Sequence, residues 1–279
     1  MARTESSNPA LTRGPLAEAA SRPVGFDRPQ YGNQYGNPYG GTQTGPDPLE
    51  QAYFGPSATS QDTGRMTVED VVVRTAVMLG TIVVTGAFTW YLGLEGLWLP
   101  AMLVGLVLGL VIAFKQITNP AVIVTYSAIE GVFLGGITKF FEAAYPGIAV
   151  QAVTGTVAVA VGMLVLYRSG RIRVTPRFTK MVIGATFGYF ILLMVNLGAS
   201  FFVDGGLGLF NGGLLGIGIS LFAVGLASLN LVIDYDFIDN AAKNGVPEKY
   251  GWYAAFGLVV TLVWLYIEML RLLSQLRGD

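Results

Sequence analysis

The residues able to do chemistry in this chain are few and specific. Glu130 sits inside an apolar run, in Tyr126-Ser-Ala-Ile-Glu-Gly-Val-Phe-Leu-Gly-Gly136. Asp234 and Asp236 close another, in Leu-Val-Ile-Asp-Tyr-Asp-Phe-Ile-Asp239. Glu268 lies near the end of the last apolar run, and Arg74 near the start of the first. Carboxylates are hard oxygen ligands suited to protons and to Ca²⁺, so Asp234, Asp236 and Glu130 are the candidate calcium ligands. With Glu268 they are also the candidates for an ion pathway or a proton sensor. Arg74 shares its depth with Asp234 and Asp236 and is the candidate partner for a salt bridge.

Other chemistries are excluded by composition. The 279 residues include no His and no Cys, which removes thiol nucleophiles, disulfides, Ser-His-Asp triads and His- or Cys-ligated metals. The net charge of -1 does not suit a nucleic-acid binder. Tyr235-Asp236 supplies half of an intramembrane aspartyl protease signature. The Gly-x-Gly-Asp half fails, because Gly206-Leu207-Gly208 runs into Leu209. The last run has no lysine for a Schiff base. No enzyme and no resident cofactor is expected, with Ca²⁺ entering only as a transported ion.

Residue types alone do not make a site; something must hold them. Hydrophobic residues are 52% of the chain and charged ones 13%, against about a quarter charged in soluble domains. The excess lies in seven runs at about 71–92, 97–114, 120–141, 149–167, 180–198, 209–234 and 250–272. Each is close to the ~20 residues a helix needs to cross a bilayer. The expectation is an all-α, seven-helix membrane bundle over 66–279. Residues 1–65 are rich in Gly, Pro, Asn, Gln, Ser and Tyr, with an imperfect Tyr-Gly-Asn repeat over 31–41. That composition predicts a disordered tail. No basic stretch followed by an apolar one suggests a cleaved signal peptide.

Basic residues set the expected orientation. Arg168, Arg171, Arg173, Arg177 and Lys180 cluster after the fourth run and face the cytoplasm by the positive-inside rule. Alternation then puts the tail, Lys115, Lys243 and Lys249 inside as well. The C-terminus falls outside, and Arg271 and Arg277 are discordant there. Small residues at four-residue spacing predict close helix packing. They are Ala101, Gly105, Gly109 and Ala113; Thr154, Ala158 and Gly162; and Gly208, Gly212 and Gly216. Asn196 and Asn230 read as interhelical hydrogen-bonding residues. Asp234 and Asp236, two apart on a helix, point in nearly opposite directions, so only one can face the interior. Glu268 reads as an anchor at the outer interface, and Asp239 as solvated.

Over 68–275 the chain resembles the Bax inhibitor-1 family, in its bacterial branch with a long Gly/Pro/Tyr-rich tail. Three stretches carry the resemblance: Tyr126–Gly136, Pro146–Met163, and Val232–Leu273 with its closing Arg271-Leu272-Leu273. The resemblance implies six helices around a central seventh and a pH-sensitive calcium leak. It also implies a pair of aspartates, one ending the sixth span and one in the seventh, that share a proton. Asp234 or Asp236 corresponds to the first. The second aligns near Gly257, with a further family aspartate near Thr261, and neither position is acidic here. The alternative function is a non-transporting regulator that binds a quality-control protease or envelope complex, docking through residues 1–65. Both readings place the chain in a bacterial inner membrane with the lipid bilayer as its surroundings.

Overall fold

The computed structural model describes residues 64–203, 206–209 and 213–278; the expected disordered tail lies outside them, apart from Gly64 and Arg65. Seven long helices are found among the described residues: α1 Val68–Tyr91, α2 Trp98–Lys115, α3 Pro120–Ala144, α4 Ile148–Arg168, α5 Pro176–Ser200, α6 Gly213–Lys243 and α7 Tyr250–Gly278. All seven are long and apolar enough to cross a membrane. The chain is an integral membrane protein built as a helical bundle.

The helix starts follow local chemistry. Thr67 caps α1 with a reciprocal box: its hydroxyl accepts from Asp70 N at 3.1 Å, and its own amide donates to Asp70 Oδ2 at 2.9 Å. Asn119 and Thr175 cap α3 and α5, and each is followed by proline at the first helical position. Glu142 accepts from Gly147 N at 2.6 Å and Ala149 N at 3.0 Å, satisfying the exposed amides that begin α4. Gly147 takes φ 85° at that turn, a backbone conformation open to glycine.

Two helices outrun their sequence expectation. The sixth apolar run reads as ending at 234, yet α6 continues to Lys243. Asp234 and Asp236 are therefore interior positions of a helix rather than its end. Asp236 and Asp239 accept from Asn240 and Lys243 one turn on, and these polar pairs carry the helix out of the apolar zone. The seventh helix runs on to Gly278, with Arg277 Nη1 donating to the Pro146 carbonyl at 2.9 Å.

The resemblance implies a central seventh helix. Here α3 is the most enclosed, with α6 next and α7 third, so the three share the middle. The reason is steric. Gly131 and Gly135 bring α3 against α1 so closely that a Cβ on Gly135 would sit 2.5 Å from Gly86 O, and one on Gly131 would sit 2.6 Å from Ile82 O. Gly136 lets Trp98 of α2 in by the same means. At the other extreme, α5 packs chiefly on α6 and is the least buried helix.

The small-residue stripes divide. Gly105 and Gly109 of α2 do face α3, each against a large side chain. Thr154, Ala158 and Gly162 are exposed; the packing face of α4 is instead Ala152, Gly155 and Thr156, with Gly155 against Met269. Gly208 precedes α6 rather than lying on it, and Gly212 is outside the described residues. Gly216 alone of that set is a helical contact, against Gln275 of α7.

Candidate intramembrane carboxylate site

Each candidate acid has its own setting. Glu130 is 8% exposed on α3 and faces the Gly105 backbone of α2; a Cβ there would lie 3.1 Å from Glu130 Oε1. Tyr126, one turn earlier on α3, approaches the same carboxyl, and its ring fills the space beside Gly109. Oε2 of Glu130 is buried and has no hydrogen-bond partner. The α2 glycines thus make the room that a glutamate and a tyrosine occupy at mid-depth.

Asp234 lies on α6 against α7. The Thr261 hydroxyl contacts its carboxyl, while Oδ2 is buried without a hydrogen-bond partner. Asp236 points to the other side. It accepts from Tyr167 of α4 at 3.2 Å and from Asn240 at 2.8 Å. The opposed directions expected from two-residue spacing are therefore seen, and Asp234 is the one turned toward α7.

Arg74 does not bridge to either aspartate. Its Nη2 bonds Glu248 Oε1 at 2.6 Å, its Nη1 bonds the Glu248 carbonyl at 2.6 Å, and its guanidinium stacks over Trp252 at 5.6 Å. The reason lies in the turn between α6 and α7. That turn folds back on the segment before α1, with Met66 N to Val246 O at 2.8 Å and Glu248 N to Gly64 O at 2.9 Å. This brings Glu248 to the arginine, while the aspartates lie two to four turns further up α6 from the turn.

Glu268 is not an interfacial anchor. It is 1% exposed and fully hydrogen-bonded. Tyr189 of α5 donates to its Oε1 at 2.7 Å and Trp264 Nε1 donates at 3.2 Å, while Arg271 Nη1 reaches Oε2 at 3.0 Å. Arg271 is satisfied inside the protein, which explains why it reads as discordant in a count of loop charges. Asp239 also differs from its expectation, because it is half-buried and pairs with Lys243 at 2.5 Å. Asn230 does join helices, donating to Thr186 of α5 at 2.9 Å. Asn196 instead accepts from Leu207 N at 3.1 Å and holds the loop after α5.

Sequence reasoning missed the partners on α7. Thr261, Glu268 and Gln275 recur every seven residues, which places them on one face about 10 Å apart in steps of two turns. Each meets a polar group from a neighbour: Asp234 on α6, Tyr189 on α5, and Ser220 on α6, whose hydroxyl donates to Gln275 Oε1 at 2.8 Å. The spacing is visible in the sequence as a period of seven. Among the described residues no three acids converge as a metal-holding group, so Asp234, Asp236 and Glu130 do not form one calcium cage.

The sequence profile described as Bax inhibitor 1 like matches residues 16–278 of the chain. No curated protein matches it closely enough to count as a relative.

Proposed function

The chain belongs to the Bax inhibitor 1 like family, and from that membership and the buried acid of its sixth helix we propose that it is a pH-sensitive cation leak protein rather than an enzyme. The observation that supports this reading is Asp234. Its Oδ2 is buried with no hydrogen-bond partner, and it stands beside Thr261, where the resemblance puts a further family aspartate, one turn from Gly257, where it puts the second member of the pair. A two-aspartate pair shares one proton because two close carboxylates cannot both ionise cheaply. Here the partner position is Gly257 and the position beside Asp234 carries the Thr261 hydroxyl, so the gate carries a single titrating group. Calcium is the proposed cargo. It is bound in transit by single oxygen ligands along the polar face of α7 and not stored in a cage.

The proposed setting is a bacterial inner membrane with the N-terminus cytoplasmic and the C-terminus outside. The cluster Arg168, Arg171, Arg173, Arg177 and Lys180 supports that direction. Arg271 weighs little against it, since it pairs with Glu268 inside the bundle, while Arg277 is exposed and donates to the Tyr145 and Pro146 carbonyls of the α3–α4 turn.

Proteoliposome flux tests the reading. Full-length protein is reconstituted with a trapped calcium dye, a gradient is imposed and pH is scanned. Flux that varies with pH in wild type and loses that dependence in Asp234→Asn is the expected result. No flux at any pH overturns the leak.

A second reading is a membrane regulator docked through residues 1–65. The bonds from Gly64 and Met66 to the α6–α7 turn favour it, because they couple the start of the bundle to the helix that carries Asp234. Crosslinking in membranes with and without residues 1–65 tests it. Failure to recover any membrane protein in a tail-dependent way overturns it.

A further inference from the structure

A groove of about 680 Å³ opens on the flank of the bundle, and none of Glu130, Asp234, Asp236 and Glu268 lines it. One wall is α1, where Ile82, Gly86 and Trp90 follow at four-residue intervals; the other is α4, with Val153, Val157 and Val161 at the same interval. These two helices form no extended contact with each other, so the gap between them faces the hydrocarbon. The floor is α3 and α7, which meet there through Thr138 Oγ1 and Tyr266 Oη at 2.8 Å.

The chemistry of the lining specifies the occupant. In the body of the groove Thr138 and Tyr266 bond each other and Thr156 donates to Ala152 O at 2.7 Å, while the remaining hydroxyl, that of Tyr91, lies at the interfacial end. Between them the walls are aliphatic and give a polar guest little to bond. A hydrocarbon chain matches this aliphatic lining, which runs the ~18 Å from Leu79 to Tyr91.

One end of the groove is not apolar. Trp90 and Tyr91 mark the interfacial end of α1, and Lys139 of α3 adjoins them. Its ammonium donates to Trp90 O at 3.3 Å and to Glu95 Oε2 at 2.9 Å. An ammonium has three N–H donors, so one remains for a phosphate oxygen. Glu95 neutralises the charge, so Lys139 supplies a directed hydrogen bond and not a basic patch.

We propose that this groove is a phospholipid site, with one acyl chain between α1 and α4 and the phosphate at Lys139. The site is independent of any leak activity.

Native mass spectrometry of the full chain in mild detergent, titrated with phosphatidylglycerol, tests it. The expected result is one retained phospholipid per protomer, with affinity falling about tenfold in Val157→Trp, which fills the groove. Val195→Trp, on the exposed face of α5, is expected to leave binding unchanged. Ala160→Phe is a second filling variant should Val157→Trp misfold, and Lys139→Met should weaken retention without closing the groove. Equal retention in wild type and a folded filling variant overturns the proposal. So does displacement of the phospholipid by palmitate at equal concentration, or a dimer that Val157→Trp dissociates while no lipid is bound.

Discussion

Tyr189 donates its hydroxyl to Glu268 Oε1 across 2.7 Å, and this bond ties the outermost helix of the bundle to α7. The same tyrosine ring stacks on Trp264 with centroids 6.1 Å apart, so the tie has an apolar arm and a charged one. An open groove of about 480 Å³ runs between α5 and α6 beside it.

Removing that hydroxyl should be measurable. Tyr189→Phe keeps the ring and loses two bonds, one donated to Glu268 and one accepted from Arg271, a cost of about 1.5 kcal/mol. Glu268→Ala should cost more, up to about 3 kcal/mol, since it strips an acceptor from Tyr189, Trp264 and Arg271 together. Denaturant unfolding in detergent reads both. Equal losses in the two variants would contradict the network.

The close seam of α1 and α3 makes a contrast between glycines. Gly135→Ala should destabilise by about 1–3 kcal/mol, because its new methyl meets the Gly86 backbone at 2.5 Å. Gly162→Ala has nothing within 4 Å and should be neutral or stabilising by up to about 1 kcal/mol. Both glycines sit mid-helix in apolar runs, and their neighbours alone separate them. Thermal unfolding of the pair is the check.

Arg74→Lys is not expected to be conservative. The guanidinium bonds both the carboxylate and the carbonyl of Glu248 while lying over Trp252, a fork that an ammonium cannot reproduce. A loss of about 1–2 kcal/mol is expected, together with faster hydrogen exchange at Met66 and Glu248. Unchanged exchange at those amides would mean that the arginine does not hold the turn.

Thr261→Asp should place a second acid beside Asp234. The hydroxyl already contacts the Asp234 carboxyl, so an aspartate there places two carboxyl groups in one site. Flux in this variant should then titrate in two coupled steps, where wild type shows one. Adding Asp234→Asn should return the profile to a single step. A wild-type profile that already has two steps would assign the second proton to another acid, with Glu130 the first to replace by Gln.

Much of the fold was legible because hydropathy reports a bilayer directly. Seven apolar runs became seven helices, and the starts of α3 and α5 were written as Asn-Pro and Thr-Pro. The end of α6 was not legible, since Asp236, Asp239 and Lys243 look like a loop until their turn-to-turn pairing is seen. The stripe on α4 misled for a related reason: small residues permit close packing, but only a neighbour decides which face is used. Among the acids, the opposed directions of Asp234 and Asp236 followed from helix geometry. The partner of Arg74 and the enclosure of Glu268 depended on residues 174 and 79 positions away, which no local pattern encodes.

The glycine seam has a mechanical meaning. Where Gly86 of α1 meets Gly135 of α3 backbone to backbone, no side chain lies between them to re-pack, and neither helix can slide there without collision. Together they act as a stiff frame. Compliance is left to the opposite flank, where α5 borders an open groove and is held by two polar links, Tyr189 to Glu268 and Asn230 to Thr186. Any opening of this bundle would start as a leaf swinging on those links, with the frame standing still.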